Sequence, residues 1–328
     1  MPKETTHWIV AEKVSQALAK TPYGPILKSH PNLLKFGAVF HDKLYYLPTK
    51  SYPKNEELRQ AIHNIPSKLH GTKGEDTLAI IRQLCKNIQQ QSNNEHLIAF
   101  MVGIITHIFT DVVWHPMVYH YTGNYYNPNT LQEYKAQANH LKLEAIFDLY
   151  FTKSFDKLKK NYSLQSYIAN LEYPLVPLLA ESCKGYTSID LQLFTQYYEK
   201  AVKAAISSHT WIRRVSLNSF LQPISHYLPL KTQVLFSALY HNELYQYLEH
   251  LQGDITFKNP VTGTSKTTTM DKLLQEAVEE CVRFCTSIEA IVFGTANPDF
   301  AEIGRSLEHG QIAGKVYNMS YFDYFFSR

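Results

Sequence analysis

The most apolar stretch of the chain carries three side chains that could take part in chemistry. Residues 103–116 read GIITHIFTDVVWHP, and His107, Asp111 and His115 follow one another within it at intervals of four residues. A four-residue step advances about 400° around an α-helix, so these side chains spread over about 80° of one face. Burying two imidazoles and a carboxylate without partners costs several kcal/mol. The spacing therefore predicts that all three share a partner.

A second four-residue step lies in HLKLE, where His140 and Glu144 share one helical face. Metal sites in helix bundles use such pairs, because side chains on neighbouring turns can reach one ion. An exposed polar pair would have the same spacing, but beside His107, Asp111 and His115 a metal site is the better interpretation. Imidazole and carboxylate ligands without thiolates suit Zn²⁺, and also Fe, Mn²⁺ or Ni²⁺.

Three further candidates lie where the chain is expected to turn or to begin a helix. Asp42 ends GAVFHD, His70 opens HGTKGED before a predicted helix, and His7 stands near the start of the first predicted helix. From the sequence alone, Asp42 and His70 could also be surface residues or helix caps. Ten of the fifteen histidines precede residue 150. We therefore expect the chemistry in the first half of the chain.

In their order along the chain, these residues resemble the pattern of the zinc-dependent phospholipase C family, whose relatives include the fungal-type single-strand-specific nucleases. The resemblance rests on THWIVAEKV, GAVFHD, HG, HIFTD, the WH of DVVWHP and HLKLE, and it covers about residues 5–150. It implies three groups of zinc ligands: Asp42, His70, His107 and Asp111 for one ion, His115, His140 and Glu144 for a second, and His7 with a bridging Asp111 for a third.

The resemblance also implies how the ions would be used. In secreted family members an N-terminal Trp contributes to the third ion, whereas six residues precede His7 here, so we expect two occupied sites and a weak or absent third. Three protein ligands at the second site leave positions open for water and substrate. Zinc can lower the pKa of water from about 15.7 towards about 7. We assign catalytic roles to Asp42 and Asp111. The neighbouring His41 and His120 could donate hydrogen bonds to the ligands, but we favour surface positions for both.

Charge, cysteine usage and hydropathy narrow the class of protein. The net charge of +3 comes without a concentrated Lys/Arg block, so no stable nucleic-acid complex is predicted. Four cysteines are too few for a disulfide framework, and we expect reduced, buried thiols.

The first residues lack an apolar region behind a basic start, so we expect a cytoplasmic protein. Residues 97–116 approach membrane-spanning length, but their two histidines and aspartate favour a buried helix over a transmembrane segment.

Helical periodicity predicts an all-α fold, a multi-helix bundle with the metal site built between helices. The periodic segments are 6–20, 55–65, 74–91, 96–115, 131–153, 191–208, 231–251 and 270–292. Residues 253–269, rich in Gly, Pro and Thr, are predicted to form a long functional loop. We expect a single helical domain over 1–328, in which 1–150 form the metal-binding half and 151–328 form a helical extension that shapes access to the site.

These features predict a metal-dependent hydrolase of phosphodiester bonds, phospholipase C-like, acting on a phospholipid headgroup or a related diester. One alternative is an HD-type metal phosphohydrolase or nuclease, which would use the doublet His41–Asp42 but would leave His115 and the pair His140 and Glu144 without a role. Another is a non-catalytic binding protein in which the ions only stabilise the helical bundle.

Overall fold

Helices dominate the computed structural model, which describes residues 4–225, 227–312 and 318–327. The prediction of an all-α fold is confirmed. The α-helices are α1 (Glu4–Ala17), α2 (Tyr23–Ser29), α3 (Pro31–Gly37), α4 (Glu56–His70), α5 (Ala79–Gln89), α6 (Glu95–Thr122), α7 (Thr130–Thr152), α8 (Phe155–Asn161), α9 (Leu164–Ala169), α10 (Leu175–Cys183), α11 (Leu191–Ile212), α12 (Val215–Ser225), α13 (Leu230–Ser237), α14 (Met270–Ser287) and α15 (Glu289–Val292). Short 3₁₀ segments are Phe40–Tyr46, Thr49–Ser51, Asn242–Tyr247, Glu249–Leu251 and Phe325–Ser327.

Helix α6 forms the centre of the fold, and every residue after Glu95 in it is buried. Helices α1, α2, α3, α5, α7 and α14 pack around it. Among the described residues it is the one helix whose length and hydropathy would allow it to cross a membrane. Its most apolar part is completely buried by the rest of the chain. Such burial is typical of the core helix of a globular domain, because the polar groups of its second half need protein partners.

Two glycines allow α3 and α6 to cross in direct backbone contact. A Cβ atom at Gly103 would lie 2.2 Å from the Leu34 carbonyl oxygen and 2.7 Å from the Gly37 Cα. The crossing places the carbonyl of Ala38 beside α6, where it accepts a hydrogen bond of 3.0 Å from His107 Nδ1. The glycine contact therefore positions the chain that leads into the segment of Asp42.

The predicted helix over 231–251 is wrong as a single element, because it divides into α13 and two 3₁₀ segments. Tyr240 lies at the break, and its side chain turns inward to donate a hydrogen bond of 2.7 Å to Asp148 Oδ2. Its amide donates to the Ile212 carbonyl oxygen at 3.0 Å, and its own carbonyl accepts from Asn218 at 3.1 Å. These tertiary bonds outweigh the local helical preference.

The predicted long loop over 253–269 is also wrong, because it contains an antiparallel hairpin of β1 (Ile255–Lys258) and β2 (Ser265–Thr268). In β1 the side chains of Ile255 and Phe257 are buried, and those of Thr256 and Lys258 are exposed, as the two-residue period of a strand requires. Four residues are too few for this alternation to be recognised in a mainly helical sequence.

A large hydrophobic core extends from Trp8 to Phe325, and a small second cluster contains Tyr119 and Met319. The four cysteines lie buried with free thiols. On this basis we propose that the described chain folds as one domain, with its metal-binding half in 1–150 and a helical extension in 151–328.

The contact between α3 and α6 can be tested by replacing Gly103 with Ala. The added methyl group must displace the backbone of α3, and overpacking of this kind lowers the free energy of unfolding by about 1–3 kcal/mol. Thermal or urea denaturation measures the change. Ser207→Ala, at an exposed position of α11, is the control and should stay within about 0.5 kcal/mol of the parent. Equal stability of the two variants would contradict the close crossing.

Candidate metal centre

The structure brings all eight predicted ligands together in three groups of buried side chains. Within each group, one nitrogen or oxygen atom from every residue lies within 4.8 Å of the others. The groups are His7, Asp42 and His107; His70, His107 and Asp111; and His115, His140 and Glu144. The group of His115, His140 and Glu144 corresponds to the second zinc site predicted from the sequence. The first two share His107, so the predicted first site and the His7 site form one continuous cluster.

Five separate elements supply these side chains. His7 comes from α1, Asp42 from the 3₁₀ segment after α3, and His70 from the last turn of α4. The remaining ligands project from α6 and α7 at the four-residue intervals noted in the sequence. Asp42 and His70 are both buried, so their interpretation as surface residues is wrong. His70 ends a helix, and the chain reverses behind it through Gly71 in a left-handed conformation with φ of 66°.

The carboxylate of Asp111 lies between four imidazoles. Its Oδ2 atom is 3.2 Å from His107 Nε2 and 3.9 Å from His70 Nε2. Its Oδ1 atom is 3.3 Å from His7 Nε2 and 3.7 Å from His115 Nε2. The two oxygens thus face different pairs of rings, as expected of a carboxylate that bridges two metal sites.

Backbone carbonyls hold three of the rings by their outer nitrogen. The Nδ1 atom of His70 donates to the Pro66 carbonyl at 2.7 Å, and the Nδ1 atom of His115 donates to the Leu307 carbonyl at 2.6 Å. His107 does the same towards Ala38. Because a carbonyl only accepts hydrogen bonds, Nδ1 must carry the proton in each neutral ring, and the lone pair of Nε2 points into the cluster. This is the arrangement that orients histidine ligands of metals.

Burial and charge set the protonation of the cluster. Burial alone would raise the pKa of Asp111, but the charges of His115, His107 and His7 hold it well below its usual range. Burial lowers the pKa of His115 to about 3, with Asp111 acting in the opposite direction. Burial also acts to lower the pKa of His70, yet the hydrogen bond and charge of Asp42 raise it to about 9. Asp111 is therefore ionised and His115 neutral near pH 7.

The inward-facing atoms of the cluster fit a bound cation. His107 Nε2, His115 Nε2 and both oxygens of Asp111 are buried and make no hydrogen bond of normal geometry to the described residues. Leaving such groups unsatisfied costs about 1–3 kcal/mol each. Nitrogen and oxygen donors at this spacing, with a neutral His115 and an ionised Asp111, are what Zn²⁺ requires.

The two neighbouring histidines are not at the surface, so that prediction is wrong. The ring of His41 is buried and stacks on His107 with centroids 4.6 Å apart, and it meets His70 edge-on at 5.8 Å. His120 is buried as well, and its Nδ1 donates to the Tyr321 carbonyl at 2.8 Å. His41 supports the rings of two predicted ligands. Both partners are distant in sequence, which is why local pattern gave no indication of it.

A C-terminal segment, residues 306–309, closes one side of the centre. Besides accepting from His115, Leu307 donates its amide to the His70 carbonyl at 2.9 Å. The next residue, Glu308, is buried and accepts hydrogen bonds from the hydroxyls of Tyr119 and Tyr126. No pattern in the sequence indicates this segment, because it has no periodicity and its partners lie about 180 to 240 residues away by number.

A buried ion pair behind the centre was likewise not predicted. Lys43 is fully buried, and its Nζ lies 3.1 Å from Glu4 Oε1. Burial would raise the pKa of Glu4, but the charges of Lys43 and His209 hold it well below its usual value. Lys43 follows Asp42 directly, so the ion pair ties the 3₁₀ segment to the first turn of α1.

A sequence model of the family described as zinc dependent phospholipase C matches residues 6–188, more than half of the chain. The chain belongs to the zinc-dependent phospholipase C family. The resemblance noted in the sequence is thereby confirmed, and it extends beyond residue 150. No curated protein and no solved structure matches the chain. The family match ends before α11, so α11 to α15 and the segment 306–309 are outside it.

Replacing Asp111 with Asn tests the centre directly. The change keeps the shape of the side chain and removes the negative charge that faces four imidazoles, so the metal content of the purified protein should fall. Elemental analysis of protein prepared without chelator measures it, with about two ions expected per chain in the parent. His63→Ala is the control, because His63 is exposed on α4. Unchanged metal content in Asp111→Asn would contradict the assignment.

The metal-free protein should be most stable near pH 6.5. Histidines of lowered pKa, such as His7 and His115, stay neutral in the folded state while the unfolded chain takes up protons below about 6.5, so stability falls as the solution is acidified. The raised pKa of His70 stabilises the folded state below about 6.5, and this contribution is lost as the pH rises to about 9.

Melting temperatures between pH 5 and 9.5, with chelator and with zinc, measure the loss of stability on the acidic side and the loss on the alkaline side. Each histidine contributes a slope of up to about 1.4 kcal/mol per pH unit within its window. Zinc should abolish the loss of stability on the alkaline side, because the ion takes the place of the proton on His70. The same profile with and without zinc would show that His70 is not a ligand.

Proposed function

We propose that this member of the family hydrolyses phosphodiester bonds with a multinuclear zinc centre, as a phospholipase C-like enzyme. One observation carries the proposal: a single ionised carboxylate, Asp111, faces four imidazoles, and backbone carbonyls fix the outer nitrogens of three of them. A purely structural ion needs one closed set of ligands. Here three groups of donors, two of which share His107, lie side by side, which supports a centre for catalysis.

The proposed assignment of ligands is the one that the family resemblance implies. Asp42, His70, His107 and Asp111 would hold one zinc ion, and His115, His140 and Glu144 would hold the second. His7 lies within reach of Asp111 and of the first group, where a third ion would bind. Zinc in these sites would supply activated water and would neutralise the charge of a phosphodiester.

The chain's own residues prepare the site for that chemistry. Asp42 Oδ1 lies 3.3 Å from His70 Nε2 and 3.5 Å from His107 Nε2. Burial would raise the pKa of Asp42, but the charge of His107 and the hydrogen bond from His70 lower it. The ionised carboxylate can accept a hydrogen bond from an attacking water and orient it. We therefore propose Asp42 and Asp111 as the catalytic carboxylates.

Partly exposed tyrosines mark where a substrate would enter. Tyr45, about half exposed, has its ring 5.7 Å from that of His70, and Tyr125 lies 5.3 Å from His140. Tyr126 donates a hydrogen bond of 3.0 Å to the buried carboxylate of Glu308. Aromatic faces and a carboxylate favour a cationic group, so these residues support a phospholipid headgroup as the substrate.

The HD-type alternative has less support. His41 belongs to none of the ligand groups formed by the described residues, and its ring instead stacks on His107. That alternative also leaves the group of His115, His140 and Glu144 unused.

A cytoplasmic location stays a prediction from the sequence.

Turnover of a panel of diesters tests the function. Zinc-loaded protein should hydrolyse phosphatidylcholine and a water-soluble analogue such as p-nitrophenyl phosphorylcholine. Asp42→Asn should lower kcat by roughly 10²-fold, the effect typical of losing one strong electrostatic contributor. The exposed His63→Ala is the matched control and should retain activity.

Two results would contradict the proposal in different ways. Zinc that raises the melting temperature without turnover of any lipid, nucleotide or small diester would favour the non-catalytic binding protein. Hydrolysis of nucleic acid without hydrolysis of lipid would favour a nuclease.

A further inference from the structure

The segment from the end of α11 to α13 exposes an unusual number of large apolar side chains. Of the sixteen exposed large apolar residues in the described chain, seven lie within the 25 residues from 211 to 235. They are Trp211 (52% exposed), Leu217 (38%), Phe220 (73%), Ile224 (48%), Tyr227 (91%), Leu230 (40%) and Leu235 (67%). We call the described residues of α12, 227–229 and α13 the apolar hairpin. Clusters of this kind mark interaction surfaces.

Helix α12 shows that the exposure is organised. Leu217, Phe220 and Ile224 follow a spacing of three and four residues and share one face, which points to solvent. On the opposite face, Asn218 is buried and its side chain donates to the carbonyls of Ile212 at 2.7 Å and Tyr240 at 3.1 Å. The helix is therefore anchored to the protein by polar bonds and presents its apolar face outwards, the reverse of a core-facing helix.

Along the sequence, the apolar hairpin and the residues on either side of it carry charge of one sign. No Asp or Glu occurs between Glu199 and Glu243, whereas this stretch contains five Lys or Arg residues. Arg214 is exposed and lies over the ring of Trp211 at 4.6 Å, and Lys231 is exposed at the start of α13. An apolar face that includes Tyr227 and lies beside Trp211 and the exposed cations Arg214 and Lys231 matches an anionic membrane surface.

The apolar hairpin also lies close to the metal centre. Helix α13 packs against α7, the helix that carries two predicted ligands of the second site. Leu230 and Gln233 line a cavity of about 490 Å³ together with Tyr134 and Asn139 of α7, and Asn139 directly precedes His140. A surface bound by the hairpin would therefore lie one helix away from the candidate site.

We infer that the apolar hairpin docks the protein onto an anionic phospholipid surface, with Phe220 and Tyr227 inserted among the lipids. The choice of a lipid surface over another apolar partner rests on the proposed function. The apolar face, the one-signed charge and the contact with α7 are independent of it.

Flotation of the zinc-loaded protein with vesicles tests the docking. The parent should bind vesicles of phosphatidylcholine with 30% phosphatidylserine, and Phe220→Ser/Tyr227→Ser should bind at least about tenfold more weakly, because two large side chains no longer leave water. Arg214→Gln/Lys231→Gln should weaken binding to the mixed vesicles and change binding to pure phosphatidylcholine little. Ile303→Ser, at an exposed site outside the hairpin (55%), should bind like the parent. Melting temperatures should be equal in all four proteins.

Three outcomes would overturn the inference. The double variant could bind as tightly as Ile303→Ser. The parent could bind neither type of vesicle. The parent could form dimers in sedimentation experiments that the double variant loses, which would make a second copy of the chain the occupant. Turnover of a water-soluble diester is measured in parallel. If the parent has no turnover but its vesicle binding still depends on the hairpin residues, only the proposed function is refuted. If the parent has turnover but its vesicle binding does not depend on the hairpin residues, only the docking is refuted.

Discussion

The structure depends on one buried negative charge. Asp111 lies in the middle of α6, the central helix of the fold, and four imidazoles surround its carboxylate. A carboxylate in such a position is stable only when cations or ordered donors compensate it. The surrounding elements are arranged to bring those groups in: the glycine crossing of α3 and α6, the 3₁₀ segment of Asp42 and the end of α4 each deliver a side chain or a carbonyl to this point.

The protein orients three of its predicted ligands through its own backbone. Carbonyls of Pro66, Ala38 and Leu307 hold three rings, and the buried pair of Glu4 and Lys43 fixes the segment between α3 and α4. Backbone groups cannot change rotamer, so the donor set is rigid before an ion binds. A rigid donor set lowers the conformational entropy lost on binding.

The part of the centre that residue spacing predicted is the part encoded by the helical period, whereas His7, Asp42 and His70 were assigned through the family resemblance. His107, Asp111 and His115, and then His140 with Glu144, repeat with the period of the helix that holds them, so their shared face could be read directly. His41, Leu307 and Glu308 act through contacts between residues far apart in sequence, and no period connects them to their partners. The division of 231–251 has the same origin, because the buried bonds of Tyr240 are tertiary. In the fold, long amphipathic helices were foreseen, whereas short elements such as β1 were not.

The contact between His115 and the carbonyl of Leu307 also has a consequence for biosynthesis. During translation the residues from His7 to Glu144 leave the ribosome early and can begin to fold. Leu307 and Glu308 follow more than 160 residues after Glu144. The nascent chain therefore carries the donor groups for a long time without the segment that orients one of them. Ion uptake with the final geometry becomes a late step, completed only after Leu307 has left the ribosome.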